Sequence, residues 1–484
     1  MRPHRGASRD TDKERLMTPN TPWRVPLGAL CVGAVLTGCA SPLDERRPPA
    51  ASWQDPWLDM QRPPPPRANG SPANPRDGAH RADTDPLPAN ATLEDVLTYA
   101  QTHSVALRAA QERWQAAAAR IDSARFLPDP RVSYLHERDG RPRKQEIMVE
   151  QAFPWFGTIE RRRDAATYAA EAELARVSEQ WLAIRARIIE NVLELGYLDA
   201  RIALTRDTAE LVTQLESSLR AQYMTQPDMY AAVVRAQVEV GRLENELESL
   251  VARRVPLAAR LNAMLSRPAD APLPEAWASP DEVLDAHDDD VVAWLEDHNP
   301  TLRAQSALVE SLRQGQAVAR AENNPDFTLG AGADVTTDEY IFAVSMRVPI
   351  WRERNEGRVR EATSNRLAAA HEREDARHRL RAEASDLLFQ HHDAQRRIVL
   401  LRDTLIPKAE EAMRAVLACC AAGNTGLQDA LDAERTLLSL RLEEARAVAD
   451  RASTLAQLES LSGVPLPRRI DAYNDAQSTE GDEQ

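Results

Sequence analysis

Glycine is scarce in this 484-residue chain, at 18 residues, while Ala, Leu, Glu and Arg dominate. So few breakers argue against a compact globule of many turns and in favour of long helices. No apolar run is long enough to span a bilayer as a helix. There is no Gly-rich phosphate loop, no nucleophile elbow and no paired metal motif, so neither an enzyme nor a cofactor is expected. Basic residues are not clustered but interspersed with acids, and the net charge is −15. Phosphate neutralisation needs the opposite pattern, which excludes nucleic acid as a partner.

Only four cysteines occur, too few and too scattered for a disulfide framework. Cys31 and Cys39 lie in or just after the one short apolar stretch, VPLGALCVGAVLTG, which has the length of a signal h-region. Leu36-Thr37-Gly38-Cys39 resembles the bacterial lipobox, which implies cleavage before Cys39, lipid on its thiol and contact with outer-membrane lipid. Ala40 after it resembles the outer-membrane-sorted class. Residues 1–38 are therefore expected to be a signal peptide, with Met17 as an alternative start because residues 1–16 fit no signal pattern. The adjacent Cys419-Cys420 pair reads as small packing residues, not as a metal site. His371, His378, His391 and His392 read as solvated helix positions, since nothing supplies a third ligand at helical spacing.

From 39 to 90 the chain is Pro-rich, with Pro63 to Pro66 in a row and no apolar periodicity, which suits an extended tether. Beyond it the sequence compares with itself. Leu107-Arg108-Ala109 recurs as Leu302-Arg303-Ala304, Pro130 as Pro325 and Pro154 as Pro349, each at a separation of 195 residues. Two copies of one unit are expected, 91–274 and 288–467, with 468–484 a polar tail.

Within each copy the hydrophobic period changes in the same order. Thr92 caps an apolar 3.6-residue repeat running to Phe126, with Asp95 placed for a capping box. After Leu127-Pro128-Asp129-Pro130 the period becomes two, most clearly where Phe327, Leu329, Ala331, Ala333 and Val335 alternate with small or polar residues, and again at Phe342, Val344, Met346 and Val348. Each copy thus supplies a β-hairpin ended by Pro154 or Pro349. Residues 158–222 then contain no proline and a single glycine, enough for a helix of about 100 Å. Breaks at Gln226-Pro227 and at Gly423-Asn424, before Gly426, fold the chain back into second long helices, 228–266 and 426–462. Four strands of this length fit an outer membrane but cannot close, so further copies must complete the barrel.

The order helix, hairpin, long helix, turn, long helix, twice over, resembles the TolC family of outer-membrane efflux proteins. So do Asn299-Pro300-Thr301-Leu302, Gln151-Ala152-Phe153-Pro154-Trp155-Phe156-Gly157, and above all Ala422-Gly423-Asn424-Thr425-Gly426 followed by Leu427-Gln428-Asp429-Ala430-Leu431-Asp432. The resemblance implies a mainly α fold with a small β part: a homotrimer with a twelve-stranded outer-membrane β-barrel and a long α-helical periplasmic barrel. It implies a passive exit duct joined to a periplasmic adaptor and an inner-membrane pump of the RND type. Asp429 and Asp432 match the family's constriction acids, where Ala232 and Arg235 stand in the first copy. The Pro-rich lipidated start and the strand exit are similar to the branch serving heavy-metal and drug efflux pumps, which implies heavy-metal cations as cargo, with organic drugs or a secreted polypeptide as the alternatives. The alternatives are a periplasmic adaptor, which would carry one helical hairpin between β-rich segments, and a structural coiled-coil lipoprotein, in which the β-hairpins would be superfluous. Neither would conduct ions.

Overall fold

The computed structural model describes residues 87–88, 91–137, 144–224, 230–274, 277, 281–421 and 427–470. Cys39, Gln226, Pro227, Gly423 and Gly426 lie outside the described residues. The first half runs α1 (Leu93–His103), α2 (Val105–Ala124), β1 (Arg131–Glu137), β2 (Lys144–Phe153), α3 (Thr158–Tyr223) and α4 (Tyr230–Met264), followed by a short strand, β3 (Glu282–Leu284). The second half runs α5 (Asp288–His298), α6 (Pro300–Ala321), β4 (Asp326–Asp334), β5 (Glu339–Arg347), α7 (Arg352–Leu400), a π-helical turn at Leu401–Leu405, α8 (Ile406–Ala421), α9 (Leu427–Ser462) and β6 (Arg468–Ile470). No described helix is long and apolar enough to cross a membrane.

Local chemistry accounts for the boundaries. Thr92 Oγ1 accepts from the Asp95 N–H at 3.3 Å while Asp95 Oδ2 accepts from the Thr92 N–H at 2.8 Å, the reciprocal capping box. The bonds that the Thr92 backbone N–H and then its hydroxyl donate to the Asp95 carboxylate hold it below the usual carboxylate range. The apolar pattern to Phe126 predicts one helix; the structure has two. Ser104 ends α1 and caps α2, its Oγ accepting from the Leu107 N–H at 3.4 Å. A serine competes well for backbone bonds, so the one at position 104 makes the corner. Asn299 does the same before α6, accepting from the Leu302 N–H at 2.9 Å with Pro300 at the first helical position.

The middle of the molecule is held where the two halves meet. β3 pairs antiparallel with β6, which brings residues 282–284 against 468–470. No periodicity announces strands of three residues. Around them sits a buried ionic network: Arg185 of α3 donates to Glu459 of α9 at 2.9 Å, and Arg468 donates to the same carboxylate at 2.6 Å. The Glu459 carboxylate also accepts the Leu466 N–H at 3.1 Å. Arg451, fully buried, pairs with Asp281, which Arg402 also holds at 3.0 Å.

Two readings of the sequence are corrected here. His391 is not a solvated position: it is 1 % exposed, and its Nε2 accepts from the Leu284 N–H at 3.3 Å. Burial first, then the positive charges of His392 and Arg451, push its pKa down to about 4. His371, His378 and His392 are exposed as expected, and His392 Nε2 lies 2.9 Å from Asp288. Cys419 does not pack; it is an exposed free thiol near the end of α8.

Candidate functional site

Two regions of the chain hold the candidate residues, the four-stranded sheet and the far end of the long helices. The sheet has the order β1-β2-β4-β5, all neighbours antiparallel, so the two hairpins join through β2 and β4. The outer edges of β1 and β5 have no strand partner among the described residues.

The register sorts the side chains into two faces. Val149 opposes Val132 and Ala331; Ala331 opposes Phe342; Leu329 opposes Val344; Phe327 opposes Met346. This apolar face is turned to the surroundings, with Phe342 82 % and Val344 76 % exposed. The alternate positions carry Glu137, Glu146, Glu150, Thr328 and Ser345 on the other face. Gly330 and Gly332 also lie there. A Cβ at Gly332 would collide with the Ile147 carbonyl, and one at Gly330 would press on Ala343 and Glu150 at 3.3–3.4 Å. The face with the polar residues is therefore the more crowded one, and the apolar face the more exposed one.

Aromatic residues gather where strands become helices. Trp155 stacks on Phe327 with ring centroids 6.4 Å apart, and Phe156 meets Trp155 edge-on at 5.8 Å. Phe126, Ile350 and Trp351 are exposed at the same level of the chain path. Gly157 ends the motif with φ +77°, a left-handed conformation that favours glycine and lets α3 start at Thr158. Asp326 ties the hairpins together, accepting from the Trp155 N–H at 3.2 Å and pairing with Arg347. Immediately beyond, Glu322 of α6 joins Arg162 of α3 at 3.0 Å and Arg358 of α7 at 3.2 Å. An apolar belt edged by aromatics is what a strand wall needs in a bilayer, where every exposed side chain faces hydrocarbon or its interface.

At the other end α3 closes on α4 with the rings of Tyr223 and Tyr230 5.8 Å apart. Both candidate acids stand in the first turns of α9. Ala430 and Leu431 are buried, Leu431 in a cluster with Val212, Leu219, Val233 and Ala236 of the first half. One helix side being thus anchored, Asp429 and Asp432 share the opposite side and are exposed. They differ in their company. Asp432 accepts from Gln428 at 3.2 Å and from Arg435 at 3.2 Å, whereas Asp429 has no partner among the described residues. Ala232 is half-buried and Arg235 exposed at the matching places of α4. Arg435 and Glu239, which the sequence reading passed over, complete this end: Glu239 is buried and takes Arg435 at 2.6 Å. The signal was an acid on the apolar row of Val233, Ala236 and Leu243.

Residues 293–464 match the outer membrane efflux protein family. The chain is 25 % identical over 361 residues to the cobalt-zinc-cadmium resistance protein CzcC of Cupriavidus metallidurans, a match covering 72 % of this chain and 85 % of the relative. Among solved structures the fold is similar to the outer membrane protein VceC of Vibrio cholerae, at TM-score 0.67 and 18 % identity, covering 78 % of this chain and 97 % of that one. It is similar also to the open state of the MtrE outer membrane channel of Neisseria gonorrhoeae, at TM-score 0.60 and 18 % identity, with coverages of 77 % and 89 %.

Proposed function

We infer, from the match of residues 293–464 to the outer membrane efflux protein family, that the chain is the outer-membrane channel of an efflux system and works as a conduit, not an enzyme. The observation that carries this is the four-stranded sheet with one apolar face turned outward and both edges open. In hydrocarbon an open edge leaves backbone N–H and C=O groups without partners, so such a sheet is stable only when further copies close it.

Three copies closing twelve strands is the assembly we propose, two units per chain (91–274 and 288–467) contributing one hairpin each. α3 at 66 residues extends about 100 Å, long enough to carry a tunnel across much of the periplasm to an adaptor and an RND-type inner-membrane pump. Cys39 would anchor each chain by lipid, and residues 39–90 would span from that anchor to the body. Turns at Gln226-Pro227 and Gly423–Gly426 would form the tip that meets the adaptor. Six carboxylates from Asp429 and Asp432 would ring the narrow end, favouring cations and setting when it opens. The likeness to a cobalt-zinc-cadmium resistance protein supports heavy-metal cations as the cargo.

Single-channel recording of the purified protein in planar bilayers tests this. A small cation-selective conductance that rises, or loses its selectivity, in Asp429→Ala/Asp432→Ala is the expected result. A periplasmic monomer with no current would return the adaptor or structural-lipoprotein alternative to the front.

A further inference from the structure

The two halves differ at one place along their long helices. Arg206-Asp207-Thr208 of α3 recurs as Arg402-Asp403-Thr404, at a separation of 196 residues, and by the tip, where Arg235 matches Asp432, the separation has grown to 197. In the first half this tripeptide lies inside α3, unbroken from Thr158 to Tyr223. In the second it lies inside the π-helical turn Leu401–Leu405, between α7 and α8. One residue more than an α-helix can hold is what makes a π-turn. The burial pattern puts the extra residue here: Leu401 and Met413 are both buried, twelve positions apart, where three α-turns span only about 11.

The same tripeptide meets different surroundings in the two geometries. Arg206 is exposed and has no ion pair among the described residues. Arg402 is turned inward, its side chain 19 % exposed, and donates to Glu444 of α9 at 2.8 Å and to Asp281 at 3.0 Å. Asp281 is gripped also by the buried Arg451. Charge-assisted bonds of this kind are about twice as strong as neutral ones. The backbone of the turn is weak by comparison, because Pro407, the second residue of α8, has no N–H to return to it. No proline interrupts α3. Sharp bends in long helices fall at π-turns and at prolines, and here the two coincide.

We propose that Leu401–Leu405 is a hinge, latched by Arg402, about which α8 turns against α7. Beyond the turn α8 packs chiefly on α9, with Glu410 2.8 Å from Arg441, and it leads to the start of α9, where Asp429 and Asp432 stand. Hinge and candidate acids thus belong to the same half. The first half, with Ala232 and Arg235 in the matching places and an unbroken α3, is the fixed wall. While Arg402 holds Asp281 and Glu444, the turn is pinned to the joining region and to α9. Once both bonds let go, mainly the loosened backbone ladder resists bending. The hinge is a property of the single chain. Only its use in opening a tunnel rests on the function proposed above.

Hydrogen exchange read by mass spectrometry on the full-length detergent-solubilised protein tests it, because the first half of the molecule serves as the control. Arg402→Gln should speed amide exchange across residues 402–410 by about tenfold or more and leave 206–213 of α3 unchanged. Arg402→Lys, which keeps a charged donor, should lie between wild type and Arg402→Gln. Pro407→Ala in the Arg402→Gln background should slow the turn again by restoring an N–H. Unchanged exchange at 402–410 in the Gln variant overturns the proposal, since Arg402 then latches nothing. Equal acceleration at 206–213 overturns it too, since Arg402 then only stabilises the whole fold. Single-channel current on the same preparation keeps the two ideas apart: local acceleration without current removes the channel and leaves the hinge, and current without local acceleration removes the hinge and leaves the channel.

Discussion

Arg435 of α9 reaches across to α4 and places its guanidinium 2.6 Å from the buried carboxylate of Glu239 while also donating to Asp432 at 3.2 Å. One side chain thus couples the first and second halves within a turn of the candidate constriction. Glu239 is held below the usual carboxylate range, chiefly by that hydrogen bond. Arg435→Ala leaves it only Arg242 at 3.4 Å, and we expect a loss of about 1–3 kcal/mol. Thermal denaturation should show the loss, and Glu239→Gln in the same background should recover part of it. Because the folded pKa is depressed, the pair's contribution is present above the ordinary carboxylate range and fades as pH falls through it. The Arg435→Ala variant should lack that acid-dependent component.

Asp429 and Asp432 should not contribute equally to ion selectivity. Asp432 shares its charge with Arg435 and Gln428, whereas Asp429 does not. Asp429→Asn should therefore reduce the cation-to-anion permeability ratio more than Asp432→Asn, and Arg435→Gln should raise the ratio. Reversal potentials in asymmetric KCl measure all three. Equal effects of the two aspartates would mean that Arg435 moves away in the assembled ring.

His391 gives the protein an acid-sensitive middle. Its pKa falls from 6.5 to about 4 on folding, so the unfolded chain binds the extra proton between those values. Stability is full above pH 6.5 and declines as pH drops toward 4, by on the order of 3 kcal/mol in total. The melting temperature followed across that window should fall, and His391→Gln should fall less steeply. An unchanged slope in the variant would assign the acid sensitivity to other groups.

The two faces of the sheet should respond oppositely to charge. Val344→Arg puts a guanidinium on the outer apolar face and should cost about 2–4 kcal/mol in a bilayer, seen as loss of protein from the outer-membrane fraction. Ser345→Arg, one residue on and on the polar face, should assemble normally and lower cation selectivity. If both substitutions abolish membrane recovery, the assignment of faces is wrong.

The hairpins were legible because their alternation is long and their ends are marked: Phe327 to Val335 keeps the period of two, and Pro154 and Pro349 stop it. The long helices were legible through what they exclude, since 158–222 lacks proline. The joining region was not. β3 and β6 are three residues each and pair across 186 positions, below any periodic signal. His391 read as a solvated position and nothing singled out Arg451 or Glu459, yet each is at most 1 % exposed. Their signal was faint but present: Arg451 stands on the same helical row as Ala447, Leu455 and Leu458, all buried, where an unpaired charge is not tolerated. At the candidate constriction both aspartates were found by likeness to a family, while their partner Arg435 was not, because its acceptor lies 196 residues away.

The open edges of β1 and β5 also set a hazard before any pore exists. A freshly exported subunit carries Phe342, Val344 and Tyr134 into water beside unpaired backbone, the composition of an aggregation nucleus. Finding the copies that close its edges is a concentration-dependent search, whereas sticking to a wrong strand is not selective. Slow, dilute production therefore lengthens the vulnerable interval, and the yield of assembled channel should depend on how quickly the chain is delivered to the membrane as much as on how stable the finished structure is.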